Sequence, residues 1–180
     1  MRDENYFKKF IITIPDFPKK GILFRDITPS IENIEAFTEI IDSLADIAKQ
    51  YEFNKIICAD ARGFLFGAAL GYKLQKDIVM ARKPNKLPRP GYSYSYSLEY
   101  GESTLQVSEG SIDKNDRILV IDDLLATGGS ALAMMELLTL AGAQPVAAMF
   151  YIELPDLKGA ENIQKRFQIP VHSLVKFKGE

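Results

Sequence analysis

The sequence predicts an α/β fold in which a central, mostly parallel sheet is flanked by helices. Short apolar runs recur along the chain: KIICA at 55–59, DIVMA at 77–81, RILVI at 117–121 and PVAAMFYI at 145–152, with VHSLV at 171–175 as a fifth candidate. Each has the length of a strand and is apolar at successive rather than alternate positions, as strands are when helices cover both faces. The segments between them carry apolar residues at helical spacing, and this alternation of strand and helix signals a parallel sheet. With 180 residues, 47% of them hydrophobic, the chain is long enough for a full core, and a single domain over 1–180 is expected.

The first clear helix spans roughly 32–50, where Ile34, Phe37, Ile40, Ile41, Leu44, Ile47 and Ala48 share one face. A second helix, FLFGAALGYKL, follows KIICA and the loop DARG, and a third, SALAMMELLTLAGA, follows the RILVI strand. In such folds ligands bind at the carboxyl ends of the strands, so the loops after KIICA, DIVMA and RILVI should converge on the site. The segment 82–101, RKPNKLPRPGYSYSYSLEYG, breaks this rhythm. Its Tyr/Ser alternation over Tyr92, Tyr94 and Tyr96 predicts an antiparallel hairpin with one aromatic face, continued by Ser103 to Val107. By length alone it reads as a solvated excursion. The cations Arg82, Lys83, Lys86 and Arg89 beside the DIVMA strand end favour a lid over about 82–108 instead.

Composition excludes several function classes. The net charge of -2 gives no reason to expect nucleic acid or a charged membrane as partner. Cys58 is the single cysteine, so no intramolecular disulfide can form, and its place in KIICA reads as a buried core thiol. Neither a signal peptide nor a bilayer-length apolar run is present, which makes the cytoplasm the expected location. His172 is the only histidine and lies in a late strand. Serine–histidine–aspartate chemistry and a histidine–cysteine zinc site are therefore poor fits, leaving carboxylates, cations, backbone amides and a hard metal ion as the chemical groups.

The stretch RILVIDDLLATGGS at 117–130 brings such groups together. A strand that enters a glycine loop opening a helix offers unpaired amides and the positive end of a dipole to an anion. Gly128 and Gly129 allow close backbone approach, and Thr127 and Ser130 add hydroxyl donors. The loop has neither the lysine of a triphosphate P-loop nor the spacing of a dinucleotide site, so a phosphate monoester suits it better. Asp122 and Asp123 can accept hydrogen bonds from vicinal hydroxyls, and directly or through water they attract a divalent cation. Together these features describe a ribose 5-phosphate.

Six stretches, in order, resemble the type I phosphoribosyltransferases and most closely their adenine branch. They are IPDFPKKGILFRDITP, ADARGFLFG, RKPNKLP, SYSLEYG, VIDDLLATGGS and LKGAENI. The resemblance implies that family's fold, with an N-terminal hood (about 1–30) over a core (about 31–180) and a flexible antiparallel lid loop. The reaction it implies converts adenine and phosphoribosyl pyrophosphate to AMP and pyrophosphate. Mg²⁺ would be held mainly by the substrate, with Asp122 and Asp123 reaching it through water, and the assembly would be a homodimer. It also implies roles for matching residues. Ala126, Thr127, Gly128, Gly129 and Ser130 would cradle the 5′-phosphate, and Asp122 and Asp123 would hold the ribose hydroxyls. Asp60, Ala61 and Arg62 would meet the pyrophosphate, with a cis peptide often found at the position of Asp60 and Ala61. Arg82, Lys83 and Lys86 would neutralise that group, sometimes across the dimer interface. Leu23, Phe24 and Arg25 would bind adenine, and Glu99, accompanied by Tyr100, would be the acid/base carboxylate near the purine nitrogens. From the residues alone, Phe24 reads as core packing, Glu99 as a surface carboxylate and Arg25 equally as a salt-bridge partner of Asp26.

Two other readings are weighed against this one. Another purine enzyme of the same family, acting on guanine, xanthine or hypoxanthine, would read its base with segments other than the FRDI hood and SLEYG loop. A phosphoribosyl-pyrophosphate-sensing regulator would carry a DNA-binding module, and the first ~30 residues hold no basic stretch suited to one.

Overall fold

A computed structural model describes residues 2–98 and 101–179, and of residues 97, 98 and 101 the backbone alone. Helix α1 (Glu4–Lys8) is capped by Asp3, whose side chain accepts from the Tyr6 amide. The hood follows as an antiparallel pair, β1 (Ile12–Pro15) and β2 (Leu23–Asp26), then a short helix α2 (Thr28–Glu32). The helix expected at 32–50 runs as α3 (Ile34–Ala48), because the Asn33 side chain caps it by accepting from the Ala36 amide at 3.0 Å. The chain continues through β3 (Lys55–Ala59), α4 (Gly63–Leu74) and β4 (Asp77–Ala81), and the two strands lie where the apolar runs predict them. The expected hairpin forms as β5 (Pro90–Leu98) and β6 (Gly101–Ser108). The core resumes with β7 (Arg117–Leu125), α5 (Gly129–Ala141), β8 (Gln144–Glu153), α6 (Gly159–Phe167) and β9 (Val171–Lys176).

The central sheet is parallel throughout, in the order β4-β3-β7-β8-β9. Successive residues of a strand face opposite sides of it. Ile56, Cys58, Leu119 and Ile121 accordingly pack with α3 and α4 residues such as Leu44 and Phe66. Ile57, Ala59, Ile118 and Val120 pack on the other side with Met134 and Leu138 of α5. From β3 the chain steps outward to β4, then returns to the other side of β3 to lay down β7. Strand order therefore reverses between β3 and β7, and a crevice opens at their carboxyl ends.

Two details depart from the expectation. Strand β7 does not stop before the aspartates but carries them inside it, since β8 continues alongside and pairs Asp122 with Phe150 and Leu124 with Ile152. Strand β4 is not covered on both faces. Val79 and Ala81 are buried, whereas Ile78 and Met80 are 41% and 48% exposed on an edge strand.

Candidate active site at the β3–β7 switch point

The strand-end crevice is a cavity of about 480 Å³ lined by 59–62 after β3, by 122–131 of β7 and α5, and by Phe150. Three of the sequence-predicted groups meet there. Gly128 takes a left-handed conformation (φ 88°), which turns the chain from β7 into α5. The first helical bond of α5 runs from the Leu132 amide to the Gly128 carbonyl, and among the described residues no side chain caps the helix. The amides of Gly129, Ser130 and Ala131 thus precede the helical ladder beside the cavity, with the positive dipole end behind them.

Asp122 and Asp123 form the floor, and both are buried. Asp122 Oδ1 accepts the Asp123 amide at 2.9 Å. Arg62 Nε lies 2.8 Å from Asp123 Oδ2, close enough for charge pairing, while that buried oxygen accepts no directed hydrogen bond from the described residues. Burial raises the pKa of Asp122 well above the ordinary carboxylate range, and the neighbouring Asp123 charge pushes it the same way. Asp123 is also raised by burial, against the pull of Arg62. Such a pair is poised for hydroxyl donors and positive charge.

On the β3 side the peptide between Asp60 and Ala61 is cis. Arg82 reaches back over this loop, with Nε 3.3 Å from Asp60 Oδ2 and its guanidinium 5.7 Å from the Phe64 ring centroid. Lys83 and Lys86 are exposed and stand outside the cavity lining. Glu99 and Tyr100 lie outside the described residues.

The hood adds a second cavity of about 360 Å³ that shares Arg62, Leu124 and Ala126 with the first. Leu23, Phe24 and Arg25 form one wall, and the other is formed by Leu154, which sequence reading did not single out, and Leu157, the first residue of the LKGAENI stretch. Phe24 is half-buried rather than a core residue, with its ring edge-on to Phe17 and 5.6 Å from the Arg62 guanidinium. Arg25 is buried, with its guanidinium 4.3 Å from the Phe177 ring centroid. Asp26 accepts from the amide and hydroxyl of Thr28, which holds its carboxyl below the ordinary range.

Other residues agree with their sequence readings. Cys58 is fully buried, and burial pushes its thiol pKa up to about 12. His172 pairs with the Tyr51 hydroxyl at 2.6 Å on β9, the edge strand opposite β4 and not part of the crevice. Among the described residues no helix is long and apolar enough to cross a membrane. A further contact escaped sequence reading. Tyr96 of β5 rests on the start of α5, where a Cβ at Gly129 would lie 3.3 Å from its ring, and its hydroxyl is 3.4 Å from Ser130 Oγ. The Tyr/Ser alternation was the only sequence signal for it.

Comparison with known proteins agrees with this geometry. Residues 30–169 match the phosphoribosyl transferase domain model. The chain is 51% identical to the adenine phosphoribosyltransferase of Thermosipho melanesiensis over 158 residues, covering 88% of this chain and 90% of that protein. It is similar to the crystal structure of adenine phosphoribosyltransferase from Thermoanaerobacter pseudethanolicus, with a TM-score of 0.92 at 40% identity over 96% of this chain and 99% of that one. The Trypanosoma brucei enzyme, solved in complex with AMP, pyrophosphate and ribose-5-phosphate, superposes with a TM-score of 0.84 at 30% identity, covering 96% and 78% of the two chains. A carboxylate pair beside an uncapped glycine-loop helix, on a chain with these relatives, places the protein in the phosphoribosyl transferase domain family, among its adenine phosphoribosyltransferases.

Proposed function

We propose that this site transfers the 5-phosphoribosyl group of phosphoribosyl pyrophosphate to N9 of adenine, giving AMP and pyrophosphate. The observation that carries the reading is the junction of two cavities, an anion site with paired carboxylates and an apolar pocket under the hood, at Arg62, Leu124 and Ala126. A ribose 5-phosphate spanning Ala126–Ser130 and the aspartates directs its C1′ toward that junction. The base then lies against Leu23, Phe24 and Arg25. Asp60, Ala61, Arg62 and Arg82 line the approach for pyrophosphate, and Lys83 and Lys86 add charge from their own site or across a dimer. Glu99 is assigned the purine proton, with Tyr100 beside it.

The chemistry suits these groups. Breaking the bond to pyrophosphate leaves an oxocarbenium-like ribose and a strongly anionic leaving group. Fixed cations and oriented amides stabilise the leaving charge, and the hood and lid keep water from C1′. The donor set also fits Mg²⁺ held mainly by substrate oxygens. Asp123 Oδ2 is buried without a hydrogen bond, yet among the described residues no group of three ligating side chains converges to hold a bare ion. Asp122 and Asp123 would therefore meet it through water, and the ion when bound would supply charge neutralisation at the pyrophosphate.

The direct test is an assay with adenine, hypoxanthine and guanine, each with phosphoribosyl pyrophosphate and Mg²⁺. AMP and pyrophosphate are expected from adenine. Comparable turnover of hypoxanthine or guanine would overturn the base assignment, and no turnover of any base would overturn the reaction.

The assembly is assigned as a homodimer. Leu65 and Tyr72 of α4, seven residues apart on one helix face, are 44% and 82% exposed, and Ile78 and Met80 of the edge strand β4 are 41% and 48% exposed. Light scattering at micromolar concentration should give twice the chain mass, and a fully active monomer would refute the assignment. The reaction is placed in the cytoplasm, consistent with the single, buried thiol.

A further inference from the structure

Beyond Leu157, the stretch LKGAENI at 157–163 has no role above, yet its helix α6 touches the glycine loop at several points. Asn162 Nδ2 donates to the Thr127 carbonyl at 3.1 Å. Gly159 packs so closely behind the loop that a Cβ there would run into the Ala126 carbonyl oxygen and lie 2.8 Å from Leu125 Cδ1. A Cβ at Gly128 would in turn lie 3.2 Å from the Gly159 carbonyl. Residues 126–128 therefore lean on the first turn of α6. That turn is firm, because the Asn162 amide bonds the Lys158 carbonyl at 3.0 Å and the adjoining Ile163 is fully buried.

We propose that Asn162 is a positioning residue for the 5′-phosphate. This deepens the assignment of Ala126–Ser130 as the phosphate cradle and rests on it. In a trans peptide the carbonyl and the following amide point in opposite directions. Asn162 stands outside the cavity lining, so drawing the Thr127 carbonyl toward it turns the Gly128 amide the other way, to the cavity side. Gly128, with no Cβ, leaves one of the two dihedrals that turn this peptide loosely restricted, and each orientation other than the bound one weakens phosphate capture. Gly159 completes the brace by letting the loop sit against α6 without an intervening side chain.

The test compares Asn162→Ala and Asn162→Asp with wild type, using ribose 5-phosphate and pyrophosphate as separate calorimetric probes, together with steady-state kinetics. A neutral hydrogen bond of this kind corresponds to roughly 3- to 10-fold in binding. Asn162→Ala should therefore weaken ribose 5-phosphate about 3- to 10-fold and raise KM for phosphoribosyl pyrophosphate equally. Pyrophosphate affinity and kcat should stay within about 2-fold. Asn162→Asp keeps the shape, loses the donor and adds charge, so it should fall at least as far. Equal weakening of both probes, or unchanged ribose 5-phosphate binding by either variant, would overturn the role of Asn162 while leaving the cradle assignment in place. Failure of wild type itself to bind ribose 5-phosphate would overturn the cradle assignment and the role with it.

Discussion

Asp122→Asn is expected to lose turnover while gaining thermal stability. Asp122 is buried beside a second carboxylate, and a charge held there costs desolvation and repulsion that the fold does not recover. Asparagine keeps the oxygen that accepts the Asp123 amide and removes the charge. Because folding raises the pKa of this carboxyl, its favourable contribution is fully present below the unfolded value of about 3.9 and is lost as pH rises through the folded value. The variant should thus melt with wild type at low pH and above it near pH 8, by about 2–4 °C per kcal/mol for a chain of this size. Its binding of phosphoribosyl pyrophosphate should weaken about 10- to 100-fold, as for a lost charged hydrogen bond. Melting curves and substrate titrations across pH check both halves. A variant that binds normally removes Asp122 from the ribose, and one that melts with wild type at every pH removes the burial argument.

That expected trade describes how the site is built. The aspartates are held inside a strand of the central sheet, where neighbours fix them before ligand arrives. Arg62 lies between three functions, pairing with Asp123, standing over Phe24 and lining both cavities. Its charge offsets part of the carboxylate repulsion in the free protein and remains available to an anionic substrate, since its side chain is 43% exposed. Polar groups that destabilise the empty fold are the ones assigned to the ligand.

Legibility from sequence followed contiguity. The strands at 55–59 and 77–81 could be read because each is a closed apolar run, and the anion loop because strand, carboxylates, glycines and helix lie together in one stretch. The end of β7 could not, since apolarity stops at Ile121 while pairing with β8 carries the strand through two carboxylates to Leu125. The hood strands were hidden for a different reason. Strand β1 is four residues long and exposed throughout, so its brief Ile12–Thr13–Ile14 alternation is too short to mark a buried face. Helix α6 carries only Ile163 and Phe167 as large apolar residues, too few to show a period. The contacts Arg62–Asp123, Tyr96–Ser130 and Asn162–Thr127 join residues tens of positions apart, and only the topology brings them together.

Glu99→Gln should produce the largest kinetic defect. The assignment rests on the SYSLEYG resemblance and on the need to move a purine proton as the bond to N9 forms. In the described part of the hairpin, Tyr96 rests on Gly129 and Ser130, which line the strand-end cavity. A group that acts only as bonds change contributes to the transition state and not to ground-state binding. Glutamine preserves shape and removes the titrating oxygen, so substrate affinity should hold while the chemical step slows by ~10²–10⁴-fold. Product release limits many such enzymes and would mask the defect in steady state. The decisive measurement is therefore single-turnover formation of AMP, with phosphoribosyl pyrophosphate and adenine binding titrated separately. A wild-type single-turnover rate would remove Glu99 from the chemistry, and a loss of binding equal to the loss of rate would make it a substrate contact instead.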